Sequence, residues 1–132
     1  MEFIYQKLDV WQKAVELSLA IMKTIGQQRE NAAGAGLIRE IEASATRVAT
    51  CIARGKACYY RTDFIRHLNQ ARSALYETMT LLEIFRRRGW ISDEAYQEFE
   101  KRGNQITAML VRLIKTVTQH YNPSHSQTAL AS

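Results

Sequence analysis

The chain has little with which to build tight turns: one proline and six glycines among 132 residues. Sandwiches and barrels need frequent turn signals, so those folds are disfavoured. Two cysteines are too few for a disulfide framework, and Cys51 and Cys58 have no neighbouring Cys or His pair to make a zinc pattern. Both are expected to be reduced packing residues. No run approaches the roughly 20 apolar residues that cross a bilayer, and residues 1–9 lack the apolar core of a signal peptide. The expectation is a cytoplasmic protein with no membrane partner. Also missing are a Gly-rich phosphate cradle, G-x-S-x-G, H-E-x-x-H, and the paired Glu-x-x-His steps of di-iron bundles. His67 follows Asp63 by four residues, but that pair cannot fill a metal's coordination shell. Cys58 with His67 as nucleophile and base lacks an orienting group and an oxyanion site. No catalytic residue, metal ligand or cofactor is therefore expected, and the protein is read as non-enzymatic.

What is present is helical. Ala, Leu, Ile, Glu, Gln, Arg and Lys dominate the interior segments, and 46% apolar with 23% charged residues suits one ordinary globular domain. Asp9 with Gln12 three residues on predicts a capped helix start. Leu8, Trp11, Val15, Ser18, Met22 and Ile25 then recur at helical spacing, with Val10, Ala14, Leu17 and Ile21 as a second apolar row beside them. That second row exceeds what one small bundle needs, so Val10, Leu17 and Ile21 are expected to form an intersubunit surface. Gly26 and a loop through Asn31, Gly34 and Gly36 separate this helix from a second one carrying Leu37, Ile41, Ala45, Val48 and Ile52, which Gly55 ends or loosens. Thr62 and Asp63 open a third, with Ile65, Leu68, Ala71, Leu75, Met79, Leu82 and Phe85 or Arg86. Arg86, Arg87 and Arg88 before Gly89 mark its end, where cations complement the helix dipole. Ser92, Asp93 and Glu94 start a fourth, with Ala95, Phe99, Gly103, Ile106, Leu110, Leu113 and Val117 as its seam. The fold class is all-α, an antiparallel up-down-up-down four-helix bundle over residues 1–120. Residues 121–132, YNPSHSQTALAS, have no periodicity and are expected to be a flexible tail.

Charge is distributed unevenly. The formal net charge is +5, yet residues 1–46 hold five basic and six acidic side chains. Residues 47–72 hold Arg47, Arg54, Lys56, Arg61, Arg66 and Arg72 against Asp63 alone, so this stretch carries the whole excess. Clustered charge attracts phosphates or acidic partners because its field is not cancelled locally. Arg47 and Arg54 are seven apart and share a helix face. Tyr59 and Tyr60 lie in the connection beside Lys56 and Arg61, a mixture that suits base stacking with phosphate contacts. Arg47, Arg54, Lys56, Tyr59, Tyr60, Arg61, Arg66 and Arg72 are the candidate nucleic-acid-binding residues. The competing explanations are a solvated helix face for the arginines and a cap on the bundle end for the tyrosines.

Four segments also carry a resemblance. L-D-V-W-Q-K-A at residues 8–14, the segment 41–55 ending I-A-R-G, D-F-I-R-H-L-N-Q-A-R at 63–72 and G-W-I-S-D-E-A-Y at 89–96 resemble the four-helix-bundle family of 23S rRNA intervening-sequence proteins. The likeness covers about residues 5–118. It implies a homopentameric ring with no enzymatic activity. The chain is also similar to that family's basic branch, the accessory variability determinants of diversity-generating retroelements, which associate with a reverse transcriptase and template RNA. Arg54 stands where the family's I-A-E-G has Glu, Cys51 where Asn is usual, and Met79 where an acidic residue is usual. These departures favour an anion-binding relative. The reading that results is an accessory protein for mutagenic retrohoming that binds RNA or cDNA and a reverse transcriptase. The alternative is a plain member of the family acting as a structural or protein-interaction module.

Overall fold

The computed structural model describes residues 2–28 and 34–119. Among these, all regular structure is helical: four long helices, α1 (Asp9–Ile25), α2 (Ala35–Ala57), α3 (Arg61–Arg87) and α4 (Asp93–Gln119), with single 3-10 turns at Ile4–Lys7 and Gly26–Gln28. No described helix is long and apolar enough to cross a membrane. The expected tail over 121–132 and the loop residue Asn31 lie outside the described residues.

The helices pack as a four-helix bundle in which each touches its sequence neighbours and α1 meets α4. Contacts between α2 and α3 run in opposite order along the two chains: Ser44 meets Thr78, Arg47 meets Glu77, and Gly55 faces His67. The pair is antiparallel, as a three-residue connection at 58–60 requires. Likewise Gly103 lies against Met79, while Tyr96 lies under Arg86, so α3 and α4 are antiparallel too.

The core is the set of apolar positions that recur at three and four residues. Ile41, Ala45, Val48 and Ile52 of α2, Leu68, Ala71, Leu75, Leu82 and Phe85 of α3, and Phe99, Ile106 and Leu110 of α4 are buried, as the spacing predicts. On α1 the second row lies in the core together with Ser18 and Ile25 of the first. Val10, Ala14, Leu17 and Ile21 are buried in the core, whereas Trp11, Val15 and Met22 are only half-buried. The expectation that Val10, Leu17 and Ile21 form an intersubunit surface is corrected: these side chains are already covered by their own bundle.

Local signals explain the ends. Ser92 Oγ accepts a hydrogen bond from the Ala95 amide at 3.1 Å and caps α4. At the end of α3, Gly89 has φ +74°. The Trp90 amide donates to the Phe85 carbonyl at 2.9 Å and the Gly89 amide to that of Arg86 at 3.0 Å. The indole packs edge-on against Phe85 at 5.2 Å, completing a glycine-based helix stop with its apolar contact. The start of α1 differs from the predicted cap. Leu8 is the cap residue and Asp9 is already helical, because the preceding 3-10 turn delivers the chain in line. The amide capped locally is that of Phe3, which donates to Gln6 Oε1 at 2.6 Å.

Gly55 does not end its helix, which runs on to Ala57. A Cβ there would sit 2.9 Å from His67 Cβ and from Phe64 Cδ1. The glycine lets α2 and α3 approach at the end where their basic residues gather. Further along the same interface, Thr78 Oγ1 lies 2.8 Å from Ser44 Oγ and from the Ala74 carbonyl, while Ser44 Oγ donates to the Ile41 carbonyl at 3.2 Å. Both buried hydroxyls are thereby satisfied, as burial demands.

Candidate nucleic-acid interface

Because α2 and α3 pack closely, side chains just outside their seam form the walls of a surface groove of about 590 Å³. Arg47, Cys51 and Arg54 come from α2, and Arg66, Asn69, Gln70, Ser73, Ala74 and Glu77 from α3. Steps of seven on one helix and of three and four on the other put each set on one face. Three of the eight candidate residues, Arg47, Arg54 and Arg66, are thus brought together. Tyr59, Tyr60 and Arg61 lie at the α2–α3 turn, the end of the groove nearer Arg54 and Arg66. Lys56 Nζ sits 5.5 Å from the centroid of the Phe64 ring. Arg72 is half-buried and does not line the groove; at 100° per residue it falls on the opposite flank of α3.

The two ends of the groove differ electrostatically. At the far end Arg47 Nη2 donates to Glu77 Oε2 at 2.6 Å, with both side chains about half exposed (47% and 51%). Near the turn, Arg66 makes only a 3.5 Å contact with Asp63 on its own helix. Among the described residues Arg54 and Arg61 have no carboxylate partner. Arg54 and Arg61 are exposed. Tyr59 is 92% exposed, and its ring meets that of the exposed Tyr60 at right angles, with centroids 5.1 Å apart. The tyrosines stand out into solvent and do not seal the end of the bundle.

The arginine triplet at the end of α3 is surrounded quite differently. Arg86 donates to both carboxylate oxygens of Glu83 at 2.6 and 2.8 Å, lies 3.5 Å from Asp93 Oδ1, and stacks 5.2 Å from the Tyr96 ring. Arg87 Nε also donates to Glu83, at 2.9 Å, and Arg88 lies 5.0 Å from the Trp90 ring. Hydrogen bonds from Arg86, opposed by desolvation and then aided by Arg87, hold the Glu83 carboxyl down at about 2. The same carboxylate pushes the Arg86 pKa up. Burial, then the charges of Glu83 and Glu100, raise that of Tyr96.

Cys58 and His67 are neighbours, with Sγ and Nδ1 3.8 Å apart. The imidazole Nδ1 is 2.8 Å from the Asp63 carbonyl, an acceptor, so Nδ1 carries the proton and donates there. The thiol donates to the Arg54 carbonyl at 3.3 Å. With both groups committed to backbone carbonyls, this nitrogen is not placed to take the thiol's proton. Among the described residues no three His, Cys, Asp or Glu side chains gather as a metal site.

Two features escape sequence reasoning. Asn69, Gln70, Ser73 and Glu77 continue the polar face of Arg66 at helical spacing, a weak signal beside the much stronger pattern of charge. An apolar groove of about 410 Å³ also opens between α1 and α2, where Trp11, Val15, Leu19 and Met22 face Ala49 and Ala53. Leu19 is 61% exposed.

The family model of the 23S rRNA-intervening sequence proteins matches residues 6–112. No curated protein matches the chain. The fold is similar to the crystal structure of a protein of unknown function from the S23 ribosomal protein family of Bacteroides thetaiotaomicron VPI-5482. The TM-score is 0.75 and the identity 25%, covering 80% of this chain and 98% of that one.

Proposed function

Since the chain belongs to the 23S rRNA-intervening sequence protein family, we propose that it works without catalysis, as a structural and protein-interaction module that associates with further copies of itself. The observation that carries this reading is the apolar groove between α1 and α2. Its half-buried Trp11, Val15 and Met22 and exposed Leu19 leave hydrocarbon in water, and covering it favours association by roughly 25 cal/mol per Å². The number of copies implied by the family resemblance is five. Light scattering at micromolar concentration tests the reading. The native chain is expected as an oligomer, and Leu19→Glu with Met22→Glu as a monomer of unchanged helicity. A monomeric native chain overturns it.

A second reading is favoured by the α2–α3 groove. Arg54 is exposed and has no carboxylate partner among the described residues, where the family's I-A-E-G segment has Glu, and Arg66 and Arg47 stand in the same groove. In this reading the bundle is an accessory protein of a diversity-generating retroelement, lying RNA or cDNA along α2 and α3 while a reverse transcriptase binds elsewhere on it. Affinity would be mainly electrostatic, with little base reading. Isolation from its native cells, with RNA and protein identified together, is expected to yield template RNA and reverse transcriptase. Recovery of the oligomer with neither overturns this reading and leaves the first intact.

A further inference from the structure

Resting on the nucleic-acid reading, we propose that the α2–α3 groove takes a single strand, with one base stacked on Tyr59, phosphates on Arg54 and Arg66, and Glu77 limiting how far the strand extends. The groove is bounded by one pair of close-packed helices and floored by Cys51 and Ala74, both buried. A strand's backbone can settle between such walls, whereas a duplex keeps its bases stacked and its phosphates on a broad surface. Asn69, Gln70 and Ser73 add neutral donors and acceptors along the wall without fixing a base sequence.

Tyr59 supplies the second part. An aromatic ring left 92% exposed at a three-residue turn contributes nothing to the core, and beyond its edge contact with Tyr60 it keeps open surface for a base. Stacking on such a ring is tolerant of base identity because every base has a π-face. Bases are available for stacking in single strands and not in an intact duplex.

Glu77 gives the groove a direction. Its carboxylate neutralises Arg47 at 2.6 Å and repels phosphate at the end remote from the turn. Arg47 and Arg54 are two helical turns apart, about 10 Å along the axis. A strand held at Tyr59, Arg54 and Arg66 therefore meets a negative group before it can use Arg47. Glu77 acts as a built-in competitor for that arginine, so its removal is expected to strengthen binding.

The test is fluorescence anisotropy of the full chain with labelled oligouridylate and oligothymidylate of about 15 nucleotides, and with a duplex of equal length, at low salt. Both single strands are expected to bind more tightly than the duplex. Tyr59→Ala is expected to weaken single-strand binding about five- to hundred-fold, with Tyr59→Phe restoring most of the loss. Glu77→Gln is expected to tighten binding several-fold and to steepen its salt dependence, since one more arginine reaches phosphate. Both positions are exposed, and circular dichroism confirms that each variant is folded. The inference is overturned if the duplex binds as tightly as the strands, or if Tyr59→Ala leaves affinity unchanged. If Arg54→Glu with Arg66→Glu weakens binding in either of those cases, the nucleic-acid reading survives without it. If no probe binds, or polyglutamate displaces the strand at equal charge concentration, both fall.

Discussion

Two groups of arginines lie on this bundle, one along the α2–α3 groove and one at the α3–α4 corner, and they differ in what surrounds them. At the corner Glu83 holds Arg86 and Arg87, Asp93 approaches Arg86, and the Tyr96 and Trp90 rings lie against Arg86 and Arg88. Along the groove Arg47 pairs with Glu77 and Arg66 lies 3.5 Å from Asp63, while Arg54 and Arg61 have no carboxylate partner among the described residues. By count of charges the two groups look alike. The sharpest contrast is between Arg86, which Glu83 and Asp93 surround, and Arg54, which has no carboxylate beside it among the described residues. A paired guanidinium has its donors filled and its field cancelled, while an unpaired one keeps both for a ligand.

The contrast breaks most completely if α2 and α3 are pushed apart. Gly55→Ala places a methyl 2.9 Å from His67 Cβ, an atom fixed by its backbone. Overpacking of this kind costs ~1–3 kcal/mol, against a helix-propensity gain of ~1 kcal/mol. A net loss is expected in urea unfolding, together with weaker RNA binding as Arg54 and Arg66 separate. Gly36→Ala meets nothing within 4 Å and is the control, expected to stabilise slightly.

A smaller effect separates the two carboxylates. Glu83→Gln removes the partner of two arginines and is expected to lower Tm clearly. Glu77→Gln breaks one exposed pair, and such pairs contribute little, so its Tm is expected to stay close to native. Equal losses would erase the distinction between the regions.

The least effect comes from protons. Because the folded Glu83 carboxyl titrates at about 2, below its unfolded value, its stabilising contribution is complete above the ordinary carboxylate range. That contribution is lost as pH falls from that range toward about 2. Melts of the native chain minus those of Glu83→Gln should show a difference that shrinks over this acid window. A difference independent of pH would mean that Glu83 stabilises by packing alone.

Much of this architecture can be read from the chain. Helical spacing identifies the seams of α2, α3 and α4, and Gly89 and Ser92 mark a helix stop and a helix start through chemistry confined to a few residues. The two rows of α1 are harder. Both have helical period, and which one faces inward is decided by how α2 and α4 pack against it. Gly55 reads as a terminator because a glycine needed for close approach looks the same in sequence as one that ends a helix. The candidate groove is legible in part. Arg47, Arg54 and Arg66 can be placed on facing helices, but Glu77 lies thirty residues from Arg47 and becomes its partner only through the register between α2 and α3. Arg72 lies inside the basic stretch in sequence and off the groove in space.

The central claim of the nucleic-acid reading is that the arginines least neutralised by the protein's own carboxylates, Arg54 above all, and not arginines as such, make the binding face. It is tested most directly by reversing each group in turn, Arg47, Arg54 and Arg66 to Glu against Arg86, Arg87 and Arg88 to Glu, and measuring RNA binding across a salt series. Removing one arginine–phosphate pair flattens the logarithmic salt slope by about 0.7 for a single strand. The groove variant should stay folded, bind far more weakly and show a slope reduced by about 1.4, from the loss of Arg54 and Arg66. The corner variant should lose stability and keep most of its affinity. Unchanged affinity and slope in a folded groove variant, or a loss confined to the corner variant, would contradict the account.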